Sequence, residues 1–276
     1  MTILGAGRGP SMLAAVTLSL DEMQYVLETL EIDELPVVLD ARGRYDNVAD
    51  HDRAMAAAAA SLVERDLLLD GAVHRELEER LRALYRPHWV LALRLHVQGQ
   101  VSRMCLAKGD EVMALALRGP ESYVIDEVED DLPAPFVTAL GPAEPLELTG
   151  LNAPTELLVP IFDDAGDAAA TTARLTEVGN PPRDAPVIAS AMVHCTSHAE
   201  IVGVVYGDGT REVTDNHLAV FDTRNGRFLA TATTSDDGVK WTSFSSGTTA
   251  RLRTAIQDLI TGLPLREEFP RKPEGY

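Results

Sequence analysis

Hydrophobic residues in the first third of the chain recur every three or four positions, which is the spacing of amphipathic helices. Leu20, Met23 and Leu27 share one such face, and Ser19 with Glu22 has the spacing of a capping box. Pro36 and Pro87 interrupt the pattern, because proline cannot continue a helix. The predicted helices cover residues 18–30, 48–64 and 73–84.

The hydrophobic period then changes to two, which is typical of a half-buried strand. Trp89, Leu91 and Leu93 fall on one face, whereas Arg94 and His96 fall on the other. Short glycine turns follow, and turns of this length join only antiparallel neighbours. A meander is therefore predicted, with strands at 89–97, 101–107, 111–117 and 122–128.

The second half of the chain repeats this order at greater length. Asn225-Gly226 lies between two apolar runs and is a strong hairpin signal, because both residues tolerate positive φ. Helices are predicted from Asn152, over 167–178 and over 248–261. Strands are predicted at Val187–Cys195, 200–206, 217–221, 227–233 and 240–244.

The doubled pattern predicts an α+β fold made of two similar halves whose strands share one antiparallel sheet. Residues 129–150 are rich in Pro, Asp and Glu, so we place the boundary there. The expected halves are residues 1–128 and 129–276, forming a single structural unit.

The charge of the chain narrows the choice of partner. The 276 residues include 24 Lys and Arg against 43 Asp and Glu, a net charge of −19. Such a charge repels nucleic acid and anionic membranes. It favours solubility or a partner with basic patches. No apolar stretch reaches the length of about 20 residues that a membrane-spanning helix needs.

Candidate chemistry is sparse. The two cysteines, Cys105 and Cys195, are too few for a disulfide framework and favour a reducing, cytoplasmic compartment. His194, Cys195 and His198 could form a metal site or a Cys–His hydrolase. However, neighbouring residues of a strand point to opposite faces, and a zinc site would need further ligands.

Known catalytic motifs are absent from the sequence. Gly5-Ala6-Gly7-Arg8-Gly9 lacks the Gly-Lys-Ser/Thr of a phosphate loop. The chain also has no Gly-x-Ser-x-Gly and no His-Glu-x-x-His. We therefore predict no catalytic residue, no metal and no cofactor. Two alternatives stay open: a Cys/His-dependent hydrolase, which would contradict this prediction, and an unassigned binding or scaffold protein.

Several stretches, in order and spacing, resemble the EspG family of chaperones from the actinobacterial type VII (ESX) secretion system. The clearest is Asp222-Thr223 with Gly226-Arg227, which is similar to the family's Asp-Thr-x-x-Gly-Arg turn. The other stretches are Leu18–Leu30, Leu35–Leu39, Arg44–Asp46, Val63–Leu68 and Arg86-Pro87.

This resemblance implies a cytoplasmic chaperone without enzymatic activity. It would bind the PPE tip of PE–PPE heterodimers, keep them soluble and direct them to the secretion system. The resemblance further implies a quasi-two-fold fold, with a central antiparallel sheet flanked by two helical bundles. A monomer or weak homodimer is expected.

We expect the partner to dock on strands 217–233, assisted by the short helices within 151–178. Phe228 would supply an aromatic anchor and Arg227 a cation, unless Arg227 pairs with Asp222 and serves only the fold. The full set of predicted partner-binding residues is His217, Arg227, Phe228, Thr231 and Thr233, with Arg103 and Lys108 as second-choice cations.

Overall fold

The computed structural model describes residues 11–40, 45–207, 210–235 and 237–265. Within these ranges the fold is mixed α+β, with eight α-helices and a large antiparallel sheet. Two compact units divide the described residues: those up to Val90 with Arg103–Asp130, and Leu91–Ser102 with those from Asp131 onward. The glycine-rich residues 5–9 and Arg44 lie outside the described ranges.

The helices and strands alternate in short groups. The helices are α1 (Leu20–Thr29), α2 (Val48–Glu64), α3 (Arg75–Tyr85), α4 (Ala134–Leu140), α5 (Thr155–Phe162), α6 (Ala168–Val178), α7 (Ala185–Val193) and α8 (Thr249–Thr261). The strands are β1 (Val16–Ser19), β2 (Leu68–Leu69), β3 (Ala72–Val73), β4 (Trp89–Val97), β5 (Gln100–Lys108), β6 (Met113–Arg118), β7 (Ser122–Glu127), β8 (Leu151–Pro154), β9 (Cys195–Tyr206), β10 (Arg211–Thr223), β11 (Gly226–Thr234) and β12 (Lys240–Ser246).

In the first unit the strands lie in the order β1-β7-β6-β5, all antiparallel. Helix α3 packs on β6 and β7 through its buried residues, which include Leu77 and Leu81. The predicted capping box of α1 is confirmed. The Ser19 hydroxyl accepts a hydrogen bond from the Glu22 N–H at 3.1 Å, and the Glu22 carboxylate accepts one from the Ser19 N–H at 2.7 Å.

In the second unit the order is β9-β10-β11-β12-β8, again antiparallel. The predicted hairpin at Asn225-Gly226 is confirmed, with Gly226 at φ 126°. One core cluster joins the sheet to α5, α6 and α7, and Phe228 and Phe244 lie in it beside Leu158 and Ile188.

One predicted element is wrong. The apolar run at Val187–Cys195 is helix α7 followed by the first residue of β9, not a strand. Short apolar runs have no period that separates a buried strand from a buried helix, and Pro186 stands in the first turn, where proline favours a helix. The helix expected at Asn152 begins three residues later, at Thr155, because β8 comes first.

Candidate functional site

The hairpin of β10 and β11 carries five of the predicted partner-binding residues, but it divides them between two faces of the sheet. Directly opposed residues of an antiparallel pair share a face, and His217 lies opposite Ala232. Because residues alternate along β11, Ala232 and Phe228 share one face, while Thr231 and Thr233 share the other. The predicted set therefore cannot form one continuous surface.

Phe228 is a core residue. Its side chain is 0% exposed and stacks on Phe221 with ring centroids 4.8 Å apart. Phe244 completes the contact, at 6.3 Å. An anchor for a partner must be accessible, so the prediction of Phe228 as an exposed aromatic anchor is wrong. The apolar face of the strand packs on the helices α5 to α7 and removes the ring from solvent.

Arg227 is also buried, at 4% exposure, and it is satisfied internally. Its Nε and Nη2 donate to the two Asp222 carboxylate oxygens at 2.5 and 2.8 Å. Further hydrogen bonds, of 2.8 and 2.9 Å, reach the carbonyls of Leu140 and Gly141 at the end of α4. The alternative that the sequence left open, pairing with Asp222, is the observed contact.

The backbone around Arg227 is equally constrained. Its N–H donates to the Glu144 carbonyl at 2.7 Å, and its carbonyl accepts from the N–H groups of Leu146 and Gly247. A Cβ on Gly226 would lie 2.7 Å from the Leu146 nitrogen, so only glycine fits there. The Asp-Thr-x-x-Gly-Arg turn thus ties residues 140–146 to the sheet.

The two second-choice cations lie in the first unit, on strand β5. Arg103 has its guanidinium 4.0 Å from the Asp40 carboxylate, and the Lys108 ammonium donates to the Asp110 carbonyl at 3.5 Å. Being an odd number of positions apart, the two side chains point to opposite faces of β5. Their contacts are local, and the strand does not present them together.

Thr231 and Thr233 are brought together in a groove of about 270 Å³ between β11 and α8. Both side chains are at least partly exposed. The helix contributes Arg251 and Asp258 to the opposite wall. These two residues are seven positions apart and so lie on one side of α8. Small polar side chains beside a helix wall allow the close approach of another chain.

Sequence reasoning missed the contribution of α8 to this groove. The helix was predicted from its apolar face, which packs inward through Leu252, Ile256 and Leu259. The signal available was the polar stripe with Arg251, Thr254 and Asp258 at spacings of three and four residues. Nothing in that stripe indicates which strands it faces.

The Cys–His candidates do not form a nucleophile pair. The Cys195 thiol donates to the Ser197 carbonyl at 3.3 Å, and burial raises the pKa of this thiol, which disfavours the reactive thiolate. His198 instead stacks on His96 at 4.5 Å and an interplanar angle of 6°. Burial lowers the pKa of His198, and the neighbouring His96 lowers it further.

Among the residues that the structure describes, no group of three or more His, Cys, Asp or Glu side chains is arranged to hold a metal ion. Each helix within them is too short or too polar to cross a lipid bilayer.

Comparisons with known proteins agree with this architecture. The sequence profile of the EspG family matches residues 19–258. The ESX-3 secretion-associated protein EspG3 of Mycolicibacterium smegmatis is 24% identical over 265 residues, covering 94% of this chain and 90% of that protein. EspG3 of Mycobacterium tuberculosis is 24% identical over 276 residues, with coverage of 93% and 94%.

Among solved structures, the Mycobacterium tuberculosis type VII secretion chaperone EspG5, in complex with the PE25–PPE41 dimer, has the same fold. Its TM-score is 0.74 at 14% sequence identity, with 91% of this chain and 97% of that chain covered. Since the family profile spans most of the sequence, the chain belongs to the EspG family.

Proposed function

We propose that this protein is a cytoplasmic chaperone of type VII secretion. It binds a PE–PPE heterodimer through the PPE subunit, keeps the pair soluble and directs it to the secretion system. The observation that carries the proposal is the family match over residues 19–258, joined to a fold shared with a chaperone captured on a PE–PPE dimer. The names of the EspG3 relatives, which are secretion-associated, support it.

A binding role is favoured over a catalytic one. The thiol that a Cys/His hydrolase would need donates a hydrogen bond to a backbone carbonyl, and burial raises its pKa. The buried ion pair of Arg227 and Asp222 is a structural tie with its charges already matched. The hydrolase alternative is therefore not favoured.

For the docking surface we propose the groove between α8 and β11. A helical PPE tip exposes apolar side chains that must be covered, and small floor residues let a helix approach the sheet closely. Thr231 and Thr233 supply the floor, while Arg251 and Asp258 supply one charge of each sign on the wall. His217, Arg103 and Lys108 lie elsewhere, and their role in binding stays a prediction.

Co-purification tests the function. The chain should be co-expressed with candidate PE–PPE pairs and captured by a tag on the PE subunit. We expect one pair to retain the chain in a stable complex and to lose solubility without it. If the cognate pair from the same genome is soluble alone and never retains the chain, the proposal fails.

A separate experiment tests the surface. Thr231→Arg with Thr233→Arg fills the groove and should weaken PE–PPE binding by about 2 kcal/mol or more in titration calorimetry. Thr29→Arg is the control, because Thr29 is exposed on α1, outside the groove and outside the helices of 151–178. Unchanged affinity in a folded double variant would place the surface elsewhere while leaving the function intact.

A further inference from the structure

Strand β1 is the outermost strand in the first unit, and β7 is its hydrogen-bonded neighbour. Val16 and Leu18 are buried, whereas Thr17 and Ser19 are exposed. An outermost strand presents unpaired backbone groups and is a template for another chain. The groups at issue are the Thr17 carbonyl and the Ser19 N–H, both directed away from β7.

An ion pair occupies both of these groups. The Ser19 N–H donates to the Glu22 carboxylate at 2.7 Å, and Arg65 donates to the Thr17 carbonyl at 2.7 Å. Arg65 also pairs with Glu22 at 3.0 Å, and the Ser61 hydroxyl donates to Glu22 at 2.7 Å. The Glu22 carboxylate and the Arg65 guanidinium thus occupy the positions where a neighbouring strand would place a backbone carbonyl and a backbone N–H.

Glu22 is held firmly in this position. Its side chain is 7% exposed. Burial alone would raise the pKa of Glu22, but the hydrogen bonds from Ser19 and Ser61 and the charge of Arg65 outweigh burial and lower that pKa. The carboxylate is therefore ionised at neutral pH, and Arg65 has a fixed partner beside the strand.

Room for another chain exists at this edge. An open groove of about 580 Å³ runs beside Thr17 and Ser19. Its far wall is α2, which contributes the small residues Ala54, Ala57 and Ala58. Strands pair at about 4.8 Å, so an extended segment entering this groove would need the position that Arg65 holds. Asp21 and Glu121 add negative charge to the rim.

We propose that the Glu22–Arg65 pair is a guard that prevents β1 from pairing with β1 of a second copy of this chain. Two copies of β1 could pair antiparallel about a two-fold axis, which is the commonest symmetry of homodimers. The side chain of Arg65 blocks this pairing, and the acidic rims of two approaching copies repel each other. The guard keeps the chain monomeric.

In the second unit, backbone groups of the outermost strand are also covered, but by backbone atoms of another segment. In β8 the N–H and carbonyl of Asn152 pair with the backbone of Asn180 at 3.0 and 2.8 Å, and Pro154 has no N–H to offer. There the cover is backbone, which no single side-chain change removes. At β1 the cover is two side chains, Glu22 on the Ser19 N–H and Arg65 on the Thr17 carbonyl, so it can be tested by substitution.

The test compares Arg65→Ala with Arg65→Lys and Arg53→Ala in the full chain by sedimentation velocity. Arg53 is the matched control, because it lies on α2, the helix that Arg65 directly follows, is 77% exposed and pairs with Asp50 at the surface. We expect Arg65→Ala to dimerise with a dissociation constant at least about tenfold below that of the other proteins, which stay monomeric over the same concentrations. High salt should strengthen the dimer by screening the acidic rim.

Hydrogen exchange locates the contact. In the Arg65→Ala dimer the Thr17 amide should become protected, and it should exchange freely on dilution. If Arg65→Ala fails to fold because Glu22 is left unpaired, Glu22→Gln with Arg65→Ala removes both charges and serves instead. A folded variant that stays monomeric, a dimer without protection at Thr17, or equal dimerisation of the wild type and Arg53→Ala would overturn the proposal.

Discussion

Among the residues that the structure describes, each compact unit buries one arginine, and the two arginines stabilise their units differently. Arg80 on α3 is 0% exposed and Arg227 on β11 is 4% exposed. Both donate to backbone carbonyls of a segment that precedes a strand. Arg80 binds the carbonyls of Leu13 and Ala14, and Arg227 binds those at the end of α4.

The difference lies in the counter-charge. Arg227 meets Asp222 with two hydrogen bonds, whereas the Nε of Arg80 lies 3.7 Å from the Glu127 carboxylate and makes no hydrogen bond. A buried charge is costly unless it is both paired and hydrogen-bonded. Arg227 therefore acts mainly as half of an ion pair, and Arg80 mainly as a clasp for the backbone of residues 11–14.

The largest loss of stability should follow from replacing Arg227. We expect Arg227→Met to lower the free energy of unfolding by about 3 kcal/mol, because the Asp222 carboxylate loses its counter-charge and two carbonyls lose the guanidinium donor. Urea denaturation followed by circular dichroism measures this loss. A loss below about 1 kcal/mol would mean that the tie to residues 140–146 contributes little, as for an exposed pair.

Removing Arg80 should cost less. Arg80→Met is expected to lower the free energy of unfolding by about 2 kcal/mol, since it breaks hydrogen bonds to neutral groups and a longer ion pair. Amide exchange should rise first in residues 11–18. If Arg80→Met proves more damaging than Arg227→Met, the contrast between the two arginines is reversed.

The backbone of residues 11–14 also binds the Glu76 carboxylate on α3, and this contact should depend on pH. Hydrogen bonds from the Ser11 hydroxyl and from the N–H groups of Leu13 and Met12 lower the pKa of Glu76 from 4.5 to about 2. A lowered pKa stabilises the folded state at pH values above the unfolded pKa, and this contribution is lost as pH falls through the folded one. We therefore expect the protection of the Met12 and Leu13 amides, measured relative to their intrinsic exchange rates, to fall between pH 4.5 and about 2. Glu76→Gln should remove that dependence; an unchanged profile would contradict the contact.

The smallest loss of stability is expected for an exposed arginine. Arg53 pairs with Asp50 at 2.9 Å while 77% exposed, so Arg53→Ala should change the free energy of unfolding by less than about 0.5 kcal/mol. This sets the baseline for the two buried arginines. A larger loss in denaturation would indicate that helix α2 depends on surface charge.

Much of the fold was predictable because it depends on local interactions. Helix α2 covers the predicted residues 48–64, the strand at 89–97 is confirmed, and the capping box at Ser19 and Glu22 forms. Hydrophobic period, caps and glycine turns act within a few residues of one another. Where the local pattern was ambiguous, as at Val187–Cys195, the prediction was wrong.

The sequence by itself determined the family, the order of most helices and strands, and the absence of familiar catalytic motifs. Only the tertiary structure decided which side chains of the hairpin are accessible. Arg227 is buried because carbonyls about 87 positions away in the chain reach it, and Phe228 is buried because helices α5 to α7 cover its face. Such contacts join residues far apart in sequence, so they leave no periodic signal along the strand.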